Sequence, residues 1–170
     1  MSSILGLILL LILGFVIRAV ASPSVSFQAE IKLNSTPELV WPYIVDEGKR
    51  VVWQTGVRTV VSLMGGDMVM GSRSIVIKRI GSKQWEIEEE IVDFIEDESF
   101  AVVHSTEDYV ENIIISLENK GGSVNLIYSS SKIHNAFWDR LIAPWTSFKE
   151  HNSLDVSLQA LKRQVNNTTP

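Results

Sequence analysis

Over Val25–Leu33, and again from Val57 to Ser130 with short breaks, the chain alternates apolar and polar residues, and from about Phe137 to Val165 the spacing changes to three and four. A period of two gives a strand one wet and one dry face, whereas steps of three and four line up one side of a helix. A run of strands followed by one long amphipathic helix leaves few choices. The strands share a sheet, and the helix covers one of its faces. Short breaks at Gly65-Gly66, Gly81-Ser82 and Gly121-Gly122 make neighbouring strands antiparallel hairpins. The expected closing stripe is Leu141, Trp145, Phe148, Leu154, Leu158, Leu161 and Val165. Its one gap, between Phe148 and Leu154, holds His151 on the apolar side.

The first strand reads as Val25 to Leu33, with Phe27, Ala29, Ile31 and Leu33 on one face and Gln28, Glu30 and Lys32 on the other. Asn34-Ser35-Thr36-Pro37-Glu38 breaks that period and reads as a helix start, with Thr36 as N-cap and Pro37 in the first turn. A helix follows over Leu39 to Val45, Gly48 ends it, and a short second piece fits Lys49 to Trp53. The remaining strands are expected at Val57–Leu63, Met68–Ile80 with a bulge or bend at Gly71, Gln84–Phe94, Phe100–Ser105, Tyr109–Glu118 and Ser123–Ser130. The fold class is α+β: a curved antiparallel sheet of about six to seven strands wrapped on a long C-terminal helix, with one or two short helices after the first strand.

The 170 residues suit one domain with a sizeable core. With 20 acids against 15 bases and no basic stripe, a nucleic-acid partner is not expected. The absence of cysteine excludes disulfides and thiolate chemistry. Residues 1–21 are a different material. Ile4 to Ile17 is apolar apart from Gly6 and Gly14, and Arg18 precedes Ala19-Val20-Ala21. The segment reads as a single-pass membrane anchor, because Met1-Ser2-Ser3 supplies no positive charge ahead of the apolar run. The alternative is export, with a small-x-small cleavage site near Ala21. Residues 22–170 then form the ligand-binding domain.

Phe27-Gln28-Ala29-Glu30-Ile31, followed by Asn34 to Trp41, resembles the opening of the START-like superfamily, the helix-grip fold of polyketide cyclase/dehydrase-like proteins, Bet v 1-like allergens and lipid-transfer domains. Trp53, Gly71 and the strand end Glu90-Ile91-Val92-Asp93-Phe94 are similar to the same pattern. The resemblance spans Val25 to about Val165. It implies a hydrophobic molecule, such as a lipid or isoprenoid, held between sheet and last helix. It supplies no universal catalytic motif, so no catalytic residue and no cofactor is assigned.

The expected ligand contacts are Arg73, Glu89, His104, Trp145, Phe148 and His151. Glu89 shares its strand face with Trp85, Ile87 and Ile91, so it is expected inside the chamber with a raised pKa, unless a bulge near Glu88 returns it to solvent. Arg73, alternating with Ile75 and Ile77, is expected to be its inward counter-charge or a head-group anchor. The methionines and loop residues between Trp53 and Met70 suit a chamber mouth. No histidine has metal-type spacing with a neighbouring carboxylate, and Ser129-Ser130-Ser131-Lys132 has the Ser-x-x-Lys spacing on a strand rather than at a helix start. Two other functions fit the same pattern: an enzyme using Glu89 or His151 as acid or base, and a protein-interaction module with a closed chamber.

Overall fold

The computed structural model describes residues 2–21, 24–64 and 69–168. Helix α1 (Ser2–Ala21) precedes strand β1 (Ser24–Leu33), and two short helices follow, α2 (Pro37–Val45) and α3 (Glu47–Trp53). Six strands come next without a helix between them: β2 (Val57–Met64), β3 (Arg73–Ile80), β4 (Lys83–Ile95), β5 (Ser99–Ser105), β6 (Tyr109–Asn119) and β7 (Val124–His134). Helix α4 (Phe137–Thr168) closes the order. The strands form one antiparallel sheet in the order β1-β7-β6-β5-β4-β3-β2. The hairpin run thus carries the sheet from β2 to β7, and β1 joins at the far edge. The α2–α3 pair spans the distance back.

Local chemistry fixes that pair. Thr36 is extended at the N-cap of α2 and Pro37 opens the helix. The Asp46 side chain accepts from the Lys49 N–H (2.8 Å) and caps α3. The Trp53 indole donates to the Tyr43 carbonyl (2.7 Å), tying α3 onto α2. Leu33, Val40, Ile44 and Trp53 then bury against Phe100, Leu126, Leu158 and Leu161 in one core.

Three expectations are corrected. The strand expected from Met68 begins at Arg73. Ahead of it Ser72 N–H donates to the Val69 carbonyl (3.0 Å), and Gly71, at φ +86°, donates to the Ile91 carbonyl (2.7 Å). Gly71 therefore bends the chain into the strand, the second of the two forms expected there, and it lies ahead of the pairing and not within it. Second, β7 continues to His134 because its end pairs with the start of β1, as in Lys132 opposite Val25. Third, the stripe of α4 holds only in its second half. Leu154, Leu158, Leu161 and Val165 are buried, whereas Leu141 is half-buried and Phe148 is 68% exposed; outside the stripe, Trp138 and Ile142 are exposed too. Ser22-Pro23, the Gly65-Gly66-Asp67 turn and Met68 lie outside the described residues.

Among the described residues no helix is long and apolar enough to cross a membrane. The backbone of α1 is helical over its 20 residues, its described leucines and isoleucines are exposed, and it touches α4.

Truncating Leu161 to Ala should cost about 2–5 kcal/mol by urea denaturation, whereas Phe148→Ala should fall within about 0.5 kcal/mol of the parent. Equal losses at both positions would mean that the whole stripe is packed.

Candidate functional site

Strand register carries one row of polar side chains across the inner face of the sheet. Ser74 lies opposite Glu89, Glu89 opposite His104, His104 opposite Glu111, and Glu111 opposite Lys132. Directly opposed residues point to the same side of a sheet, so five strands contribute to one belt. On one side of it the inner face carries Val76 and Ile87, and on the other Ile91, Val102 and Ile113, all buried.

At one end of the belt Arg50 of α3 reaches down onto Glu89. Its two terminal nitrogens donate to the two carboxylate oxygens at 2.7 and 2.6 Å, with both side chains 2% exposed. Such a bidentate pair is the strongest geometry available to these groups. Ser74 Oγ adds a hydrogen bond to Glu89 (3.2 Å), and His104 Nε2 lies 2.8 Å from its other oxygen. Burial pushes the Glu89 carboxyl up, but the Arg50 charge and hydrogen bonds outweigh this and hold it well below the usual carboxylate range. Because Glu89 stays ionised, it can only accept, so His104 Nε2 carries the proton between them.

At the other end Lys132 lies 3.4 Å from Glu111 and donates to Glu150 of α4 (2.8 Å). Ser130 Oγ donates to Glu111 (2.5 Å), and the Lys132 ammonium stands 4.3 Å from the centre of the Tyr109 ring. Burial opposes the Lys132 charge, yet the two carboxylates raise its pKa on balance. Burial pushes the Tyr109 hydroxyl up to about 12 and the Tyr128 hydroxyl well above its ordinary value, so both remain O–H groups at neutral pH.

A cavity of about 470 Å³ lies between this belt and α4. Its walls include Val76, Ile87, Val102 and Ile113 from the sheet, and α4 contributes Ser153, Leu154 and Ser157. Trp53, Gln54 and Thr55 border it from the end of α3, and the Thr55 N–H donates to Ser157 Oγ (2.9 Å). Among the described residues no cluster of three or more His, Cys, Asp or Glu side chains could hold a metal ion.

The six expected contacts divide. Glu89 and His104 line the cavity and touch each other. The raised pKa expected for Glu89 is reversed, because a buried guanidinium sits on it. Arg73 is not its counter-charge. It lies opposite Glu90 on the outer face, is about half exposed, and pairs there with Glu90 (2.9 Å) and Glu88 (3.4 Å). The parity follows from register, since Ser74, Val76 and Lys78 point inward. Phe148 projects to solvent and does not border the cavity. His151 also stays off its wall, edge-on to the Phe27 ring (centroids 6.1 Å apart) and 3.9 Å from Asp155. The side chain of Trp145 lies outside the described residues. Of the described residues between Trp53 and Met70, where the mouth is expected, Trp53, Gln54, Thr55 and Val57 line the cavity. Ser129 and Lys132, three apart on a strand, face opposite sides, so their spacing is not an active-site pair.

Arg50, Glu111, Lys132, Tyr109 and Lys78 were not anticipated. Most left a signal: Glu111 falls in phase with Ile113, Ile115 and Leu117, Lys132 with Tyr128, Leu126 and Val124, and Lys78 with Val76. A charge in phase with an apolar strand face points inward. Arg50 shares a helix face with Trp53, three residues on.

No family model matches the chain, and no curated protein matches it. Solved structures do match. A conserved protein from Geobacillus kaustophilus superposes with a TM-score of 0.70 at 13% identity, covering 85% of this chain and 97% of that one. A protein from Thermus thermophilus gives 0.68 at 13%, covering 86% and 100%. Ara h 8.0201 gives 0.65 at 14%, covering 85% and 99%. Ara h 8 is Bet v 1-like. The fold is a helix grip. At these identities the likeness shows the helix-grip fold alone.

Replacing Glu89 by Gln should destabilise the domain by about 3–5 kcal/mol, because Arg50 is left charged and buried without its partner. An Arg50→Met, Glu89→Leu double variant should recover much of that loss in a double-mutant cycle. The folded-state pKa of Glu89 is depressed, so its stabilisation is complete above the unfolded value of about 4.3 and fades as pH falls below it. The stability gap between wild type and Glu89→Gln should therefore narrow between pH 7 and pH 3. A constant gap would mean that Glu89 is not ionised in the folded protein.

Proposed function

We propose that this chain binds a small hydrophobic molecule, a lipid, isoprenoid or similar, in the cavity between sheet and α4, and that α1 holds the domain at a membrane. The observation that carries the binding reading is the cavity itself. Its volume of about 470 Å³ falls in the range of about 300–1,000 Å³ usual for small-molecule sites. Apolar walls supply affinity, at roughly 25 cal/mol per Å² of surface removed from water, and the belt on one side orients what enters. The helix-grip fold and its likeness to Ara h 8.0201 support the same reading.

The state of Glu89 favours binding over acid–base catalysis. An effective proton acceptor has a pKa near the working pH, and Glu89 is held far below it by Arg50. His151, the other acid–base candidate, lies off the cavity wall.

The membrane reading rests on exposure. Leu5, Leu9 and Leu10 of α1 are each more than 65% exposed, and α4, which α1 touches, leaves Trp138, Ile142 and Phe148 uncovered at its start. Large apolar side chains exposed in such number are normally covered by lipid or protein.

Enlarging Val76 to Phe fills the cavity from its wall. It should weaken binding of the neutral probe Nile red by about tenfold, roughly 1.4 kcal/mol, with the thermal midpoint little changed. Unaltered binding in a folded Val76→Phe variant would remove the cavity as the site. Full-length protein should float with phosphatidylcholine vesicles, and Leu10→Arg should shift it toward the unbound fraction. A central Arg costs roughly 2.5–3.5 kcal/mol on insertion scales. Flotation indifferent to that substitution would argue against α1 as the tether.

A further inference from the structure

The charged groups of the cavity are unequally paired. Arg50 is held by Glu89, and Lys132 by Glu111 with Glu150 beside it. Two cations on the cavity wall have no such partner among the described residues: Lys78, half-buried on the inner face of β3, and Lys149, exposed on α4. Tyr128, whose hydroxyl remains protonated, lines the same space. These are donors, and a complementary ligand brings acceptor oxygens.

We propose that the cavity takes an apolar chain ending in a single carboxylate, with the carboxylate on Lys78 at the cavity wall and the chain against Val76, Ile87, Val102 and Ile113. The inference rests on the binding reading above and adds the ligand's chemical class. Three arguments select a carboxylate. An ammonium lifted from water without a partner is costly, and burial lowers the Lys78 pKa even though Glu111 and Glu150 act to raise it; an incoming anion relieves that cost. The charges facing Lys78 from β6, β7 and α4 are Glu111, Lys132 and Glu150, and Lys132 already engages both carboxylates. Across the whole cavity the paired groups and Lys78 and Lys149 leave one positive charge in surplus. One carboxylate neutralises it, whereas a phosphate monoester, carrying about −1.5 to −2, overshoots.

The test uses the full chain in phosphatidylcholine nanodiscs and four probes of equal chain length: dodecanoate, methyl dodecanoate, dodecanol and dodecyl phosphate, each followed by tryptophan fluorescence. Dodecanoate should bind at least about tenfold more tightly than its methyl ester, a difference of about 1.4 kcal/mol. Lys78→Met should abolish that preference while leaving ester affinity within about twofold, and Lys78→Arg should restore it. Lys78→Met removes an unpaired cation, so its thermal midpoint should hold or rise, which separates lost recognition from lost folding. Equal affinity for acid and ester, or an acid preference that survives Lys78→Met, overturns the inference while the cavity reading stands. Tighter binding of dodecyl phosphate overturns the carboxylate assignment. Failure of all four probes to bind counts against the cavity reading itself.

Discussion

The Arg50–Glu89 pair decides how the helices sit on the sheet. A carboxylate on the dry face of β4 must have a counter-charge, because an isolated buried ion is among the most costly things a fold can contain. That counter-charge comes from α3, which is only seven residues long and has little intrinsic helical stability of its own. Its position is enforced from both ends, by the Asp46 cap and by the Trp53 bond to α2. Guanidinium, cap and indole together fix the α2–α3 pair against the inner face, and that placement leaves Trp53, Gln54 and Thr55 at the border of the cavity.

The same belt accounts for the cavity. Over the apolar part of the sheet α4 packs tightly, with Leu154, Leu158, Leu161 and Val165 buried. Across the belt, an apolar helix face laid on Glu89, His104, Glu111 and Lys132 would desolvate them without offering hydrogen bonds. There α4 turns Glu150, Ser153 and Ser157 toward the space instead, and Glu150 reaches across to Lys132. The gap that remains follows from a row of charges set in register beneath a helix that changes character along its length.

Much of this was legible in sequence. Alternation located all seven strands, the Thr36-Pro37-Glu38 break located α2, and the phase of Trp85, Ile87 and Ile91 put Glu89 on the inner face. What sequence could not carry was register. Arg73 and Ser74 are neighbours, and which of them faces inward depends on the residue from which β3 starts pairing; a bulge or bend at Gly71 leaves that point open in the sequence. Arg50 was harder still, because its role depends on a contact with a residue 39 positions away. The α4 stripe misled for a different reason. Periodicity reports that a helix is amphipathic, not how far along its length a partner is present to cover it.

The uncovered half of α4 therefore asks for a physical cause of its own. Trp138 and Phe148 are more exposed than almost any other large apolar side chains outside α1, and leaving such groups in water forgoes roughly 1.5–3 kcal/mol each. The Arg140 side chain donates to the His134 and Asn135 carbonyls and ties the start of α4 to the end of β7. A covering agent must then come from outside the sheet–helix core. Helix α1 also touches α4 and exposes its described leucines and isoleucines. On the membrane reading proposed above, one apolar phase would cover the exposed side chains of both helices.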